Sequence, residues 1–165
     1  RGLIVVKAGL CDRCNYTIKQ ERKADKQIAQ QQVGSKPLKA LVSLLDLLFS
    51  GYRRKSAADE HGICTCVTCG VRRNWKFMQC GHYITREEYI IRWDEINTAP
   101  QCKTCNVDRG GESEKFRAYI DSTYGMGTSE ELKHRRHEFY DLNRVDLQEK
   151  IDEIKGKLLQ LIHVP

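Results

Sequence analysis

The 165-residue chain has no run of 18 apolar residues, so no stretch of it reads as a membrane-spanning helix. The opening residues also read better as a strand than as a secretory leader. Their RGLIVVKAGL has a short apolar centre with no small-residue cleavage site behind it. Nor does a thioredoxin-like strand–helix pattern surround any of the cysteine pairs, which argues against a redox dithiol. Eight cysteines without a secretion signal therefore point to reduced, metal-bound thiols in the cytoplasm.

The length suits one medium domain, or a small one with extensions. Net charge is +6, and its placement is uneven: +6 over residues 1–60, +1 over 61–127 and −1 over 128–165, counting Lys and Arg against Asp and Glu. A basic arm beside a metal-site domain is the footprint of a polyanion partner such as nucleic acid, and no membrane is implied. A solvated helix face is the competing account of the same charge.

Two Cys-x-x-Cys knuckles, Cys66/Cys69 and Cys102/Cys105, dominate what is present. Each can turn two thiolates to one side, and together they supply the four sulfurs, at roughly 2.3 Å, of a structural Zn²⁺. A third knuckle, Cys11/Cys14, has no local partner pair; His61 or Cys64 could complete a second site, or it could be metal-free. It lies in a basic N-terminal arm, residues 1–37, whose Lys/Arg/Gln run reads as linker or exposed helix up to the break at Gly34–Pro37.

Residues 38–127 read as a zinc-bearing domain and 128–165 as a helical extension. From Leu38 to about Asp59, apolar residues at Leu38, Leu41, Val42, Leu45, Leu48, Phe49 and Tyr52 have the spacing of a buried helix face, ended by His61-Gly62. Thr128-Ser-Glu-Glu131 is a capping-box pattern. A later helix, Val145 to Ile162, needs a surface for its apolar stripe, either the helix at 38–58 or a second copy of the chain. Between these, the sequence predicts a strand or knuckle over Gly62–Gly70, a strand near Asn74–Met78, a tight passage through Cys80-Gly81-His82-Tyr83, a short helix within Thr85–Ile91, a loop at Asn97–Pro100 and a helix from about Cys105.

The order His82, Asn97, Asn106 resembles the signature of the HNH superfamily, and Cys102-x-x-Cys105-Asn106 is similar to zinc-bearing junction resolvases of the endonuclease VII type. The match tightens against the phage recombination endonucleases called NinG or Rap. It rests on Cys66-Val-Thr-Cys69-Gly70, Gly81-His82-Tyr83, Arg92-Trp93, Asn97, Gln101-Cys102 to Asn106, Gly111, Phe116-Arg117 and Tyr124-Gly125, and upstream on Phe49, Tyr52-Arg53 and Gly62-x-Cys64-x-Cys66. The resemblance implies an α+β fold with a ββα-metal (HNH-like) core and a four-cysteine structural zinc site, framed by N- and C-terminal helices. It also implies an endodeoxyribonuclease acting on branched or Holliday-junction DNA in recombination, in the host cytoplasm. A homodimer through the helical regions is part of the same expectation.

On this reading His82 is the general base, Asn97 braces the loop that orients it, and Asn106 holds a catalytic Mg²⁺ or Mn²⁺ through its carbonyl oxygen. Gly81 and Gly110 stand where wider HNH members carry further ligands, so one ligand is unaccounted for. Asp108 and Glu112 rank first for it, ahead of Asp94 and the Cys80 thiolate. Arg92, Arg109 and Arg117 are candidate phosphate contacts, as are Arg53 and Arg54 at the end of the first helix; ordinary salt bridges and the helix dipole are the competing roles. Two other readings stand beside the junction nuclease: a non-catalytic zinc module binding DNA or protein, and an HNH nuclease or nickase on another nucleic acid.

Overall fold

A computed structural model describes residues 37–161, and these form one mixed α+β unit. The expectations for the N-terminal arm, including Cys11, Cys14 and the opening strand, lie outside the described residues. Helix α1, Leu38–Ser56, buries Leu41, Val42, Leu45 and Phe49 of the expected stripe; Leu48 and Tyr52 are half-buried, and Leu38, in the first turn, is exposed. It stops three residues short of Asp59. There the chain turns instead, with the Asp59 carboxylate accepting from the amides of His61 and Ile63, and Gly62 at φ +74°.

Two small antiparallel sheets follow. Strands β1, Ile63–Thr65, and β2, Arg72–Asn74, pair with Cys64 opposite Arg73 and flank the first knuckle. A short 3₁₀ turn, Trp75–Phe77, stands where the sequence predicts a strand; the Asn74 side chain caps it by accepting from the Lys76 amide at 3.1 Å. Strand β3, Gln79–His82, then pairs with β4, Thr98–Gln101, setting His82 opposite Thr98. The expected helix between them is a single turn, α2, Tyr89–Arg92.

Strand β4 occupies the stretch expected to be a loop, and all four of its residues are buried. Several of its polar groups are matched: Thr98 donates its hydroxyl to the Asp94 carbonyl and accepts from Arg53 Nε, Pro100 offers its carbonyl to the Val67 amide, and Gln101 donates its amide to the Gly111 carbonyl, while the buried Gln101 Oε1 has no partner among the described residues. After it comes a π-helical turn, Thr104–Asp108, before helix α3, Ser113–Tyr124. Helix α4, Thr128–Arg135, is not capped by Thr128. The Asp121 carboxylate, one helix earlier, takes both the amide and the hydroxyl of Ser129 at 2.9 Å.

Helix α5, Arg144–Gln160, lies along α1 and buries Val145, Leu147, Ile151 and Ile154. A polar latch reinforces this packing: Glu95 receives Lys157, Arg53 and the Tyr52 hydroxyl. An apolar cluster of Ile84, Ile91, Ala99, Phe116, Ile120 and Leu132 lies under the β3–β4 ribbon and α3. A second cluster is mainly sulfur: Cys64, Cys66, Met78, Cys102 and Cys105. Among the described residues no helix is long and apolar enough to cross a membrane.

Candidate metal centre and active-site cleft

The knuckles meet because β1 and β2 hold one, while the turn after β4 holds the other. Gly70, at φ +74°, closes the first by donating its amide to the Cys66 carbonyl. The sulfur atoms of Cys66, Cys69, Cys102 and Cys105 all lie within 4.8 Å of one another, and Cys69 Sγ is 3.8 Å from Cys102 Sγ. A tetrahedron with a metal–sulfur distance of about 2.3 Å has edges of about 3.8 Å. The cluster can therefore take a metal such as zinc with little rearrangement.

Its thiols are unequal. Burial would raise Cys66, but hydrogen bonds from Thr68 and from the amide groups of Cys102, Thr68 and Cys69 outweigh it and bring the thiol down to about 6. Cys105 is pushed up to about 12: the Thr68 bond favours its thiolate, but burial and the crowding of Cys69, Cys102 and Cys66 prevail. Successive thiolates repel one another here, and a divalent cation relieves that repulsion. Cys64 is buried against the four and is not one of them.

Next to this centre is a cleft of about 530 Å³, lined by Asp46 and Phe49 of α1, Cys80 and His82 of β3, Arg86 and Glu87 of the following loop, and Asn106 and Val107 of the π-helical turn. Concavities of about 680 and 690 Å³ lie elsewhere, lined by neither His82 nor Asn106. His82 Nε2 is 3.1 Å from the Arg92 carbonyl. A carbonyl can only accept, so Nε2 carries the hydrogen and Nδ1 is the basic nitrogen. Desolvation lowers the His82 pKa below 6.5; the Arg92 carbonyl opposes this and Arg86 adds to it. The imidazole is thus neutral at neutral pH.

Asn97 is fully buried, outside the cleft, and clamps the loop between β3 and β4. Its carbonyl accepts from the Ile84 amide at 2.8 Å, and its amide group donates to the carbonyls of Ile84 and Ile91 at 3.0 Å. Asn106 donates to Gln79 Oε1 at 2.7 Å, and its own carbonyl oxygen has no protein partner among the described residues. Gly81 has a packing cause, since a Cβ there would overlap the buried Gln101 carboxamide. Gly110 sits at φ +61° with open space around it.

The other candidates are placed differently. Asp108 is exposed and Glu112 is ion-paired to Arg109 and Lys115; neither lines the cleft. Asp94 is paired with Arg135 at 2.8 Å. Cys80 does line the cleft, with desolvation pushing its thiol up to about 11. Arg53 spans Thr98 and Glu95, Arg54 holds the carbonyls of Trp75 and Met78, and Arg92 forks onto Asp46. Arg109 and Arg117 are exposed and pair with Glu112 and Glu114.

Asp46 was not among the sequence candidates. Its carboxylate receives both arms of Arg92 and the Trp93 indole at 2.9 Å, fixing the segment whose carbonyl orients His82. The available signal was a lone acid in the apolar run SLLDLLF.

A family model described as Bacteriophage Lambda NinG protein matches residues 9–163. The chain belongs to the NinG family. Protein ninG of Salmonella phage P22 is 29% identical over 75 residues, covering 44% of this chain and 36% of that relative, so the alignment spans about a third of the relative's length. No solved structure matches the chain. The NinG match encloses both cysteine pairs of the metal centre and all the residues that line the cleft.

Proposed function

We propose that the chain is a metal-dependent DNA endonuclease that hydrolyses phosphodiesters in branched or Holliday-junction recombination intermediates, with a ββα-metal site built from β3, β4 and the turn carrying Asn106. One observation carries this reading: His82, neutral and with its tautomer set, shares a cleft with Asn106, whose carbonyl oxygen has no partner among the described residues. Family membership adds the context of phage recombination, through the resemblance stated above.

His82 Nδ1 takes a proton from water as the water oxygen bonds to phosphorus and the ester P–O bond breaks. The Arg92 carbonyl holds the ring, and Asp46 holds Arg92. Asn97 fixes the loop between the two strands. The cleft's oxygen donors Asn106, Glu87 and Thr85 suit a hard cation. Bound at Asn106, Mg²⁺ or Mn²⁺ supplies charge stabilisation on the phosphorane and the leaving oxygen. Cys66, Cys69, Cys102 and Cys105 would hold a zinc ion, which would supply a structural tie between the two knuckles.

The test is cleavage of a labelled four-way junction beside a linear duplex of matched sequence, with Mg²⁺ or Mn²⁺. Metal-dependent cutting selective for the junction is the expected result. Equal cutting of both keeps the nuclease and removes the junction preference; binding without cutting under either metal favours the non-catalytic zinc module.

A further inference from the structure

We propose that residues 72–77 form a nucleic-acid contact surface on which Phe77 stacks against an unstacked base, selecting branched DNA over continuous duplex; the link to cleavage rests on the nuclease reading above. Phe77 is 73% exposed. A lone exposed apolar side chain is ordinary. What distinguishes this one is its mounting and its neighbours.

The turn beneath the ring is fastened at several points. Trp75 donates its amide to the Gly62 carbonyl at 2.9 Å, Met78 donates to the Trp75 carbonyl at 3.2 Å, and Arg54 reaches the carbonyls of Trp75 and Met78. Met78 is buried in the sulfur cluster, and Trp75 packs against it. The ring is therefore presented on an anchored backbone, which lowers the ordering cost of binding.

Cations stand around it. Arg73 and Lys76 are exposed and have no carboxylate partner among the described residues, while Arg72 is paired with Asp59 at 2.8 Å. Cations interleaved with Trp75 and Phe77 make a stacking platform in a positive field, the chemistry that holds unpaired nucleotides. Two residues further on, Gln79 accepts from Asn106. Two residues span at most about 7 Å, so the Phe77 backbone is that close to the strand that holds the cleft. Val107, exposed and next to Asn106, lines that cleft.

The experiment measures binding in a His82→Ala background with Mg²⁺, using a four-way junction carrying 2-aminopurine at the branch and a linear duplex. Phe77→Ala is expected to weaken junction binding roughly 5- to 100-fold, abolish the 2-aminopurine quenching and leave duplex binding nearly unchanged. Phe77→Trp keeps both signals. Arg73→Ala and Lys76→Ala weaken both substrates alike, each lowering the salt slope by about 1.

Junction affinity and quenching unchanged in Phe77→Ala, with zinc content intact, overturn the proposal. The two readings separate cleanly. Phe77-dependent stacking by a wild-type chain that cuts no DNA leaves this surface standing and removes the nuclease, whereas cutting with Phe77-independent binding does the reverse.

Discussion

His82 shows how a side chain's surroundings set its chemistry. Its ring is desolvated, and its Nε2 hydrogen is committed to the Arg92 carbonyl. A lowered pKa keeps the base form present at neutral pH and loses it only as pH falls through a value below 6.5. Cleavage under single-turnover conditions should therefore decline toward acid pH with a midpoint below 6.5. A decline centred above 6.5 would contradict the assignment. Gly81 is the second residue whose role is local. A methyl group there must displace the buried Gln101 side chain, so Gly81→Ala should lower stability by about 1–3 kcal/mol in urea unfolding.

At this scale the sequence was informative about residue types and silent about partners. The trio His82, Asn97 and Asn106 came from the resemblance to the HNH signature; the structure places His82 and Asn106 on one cleft and Asn97 in the loop between the paired strands. Asp46 was not: an acid inside an apolar helix run reads as a solvent-facing position until the fold brings Arg92 and Trp93 onto it. Arg53, Arg54 and Arg92 look like phosphate contacts in one dimension. In three, each is spent on carbonyls or carboxylates of the scaffold.

Among the elements, helices α1 and α5 were legible because their apolar stripes run for four turns or more. Of the strands, only β1 falls in a stretch that reads as strand or knuckle, 62–70; the others were not legible. With three or four residues each, they are too short for alternation to show, and β4 is buried on both sides with Thr, Pro and Gln among its residues. What holds these ribbons is the junction of the two knuckles. Cys105→Ser removes one of four thiolates from the centre, and it should lower zinc content from one equivalent for this cluster and loosen both sheets together. Metal analysis with near-UV circular dichroism checks this; full zinc content and a native spectrum would argue against a metal at these cysteines.

Over the whole molecule, α1 is the common support. It carries Asp46 into the cleft on one side and receives α5 on another, with Glu95 joining Tyr52, Arg53 and Lys157 between them. Ile151, fully buried in α5, should on truncation to Ala cost about 2–5 kcal/mol in denaturant unfolding. A loss below about 0.5 kcal/mol would mean that α5 does not pack there in solution.

The central claim is that this cleft hydrolyses DNA with His82 as base. Single-turnover cleavage of a labelled four-way junction by wild type and His82→Ala, at equal zinc content and with Mg²⁺ or Mn²⁺, tests it most directly. The account predicts a metal-dependent rate that drops about 10²- to 10⁴-fold in the variant. Equal rates for the two proteins would contradict it.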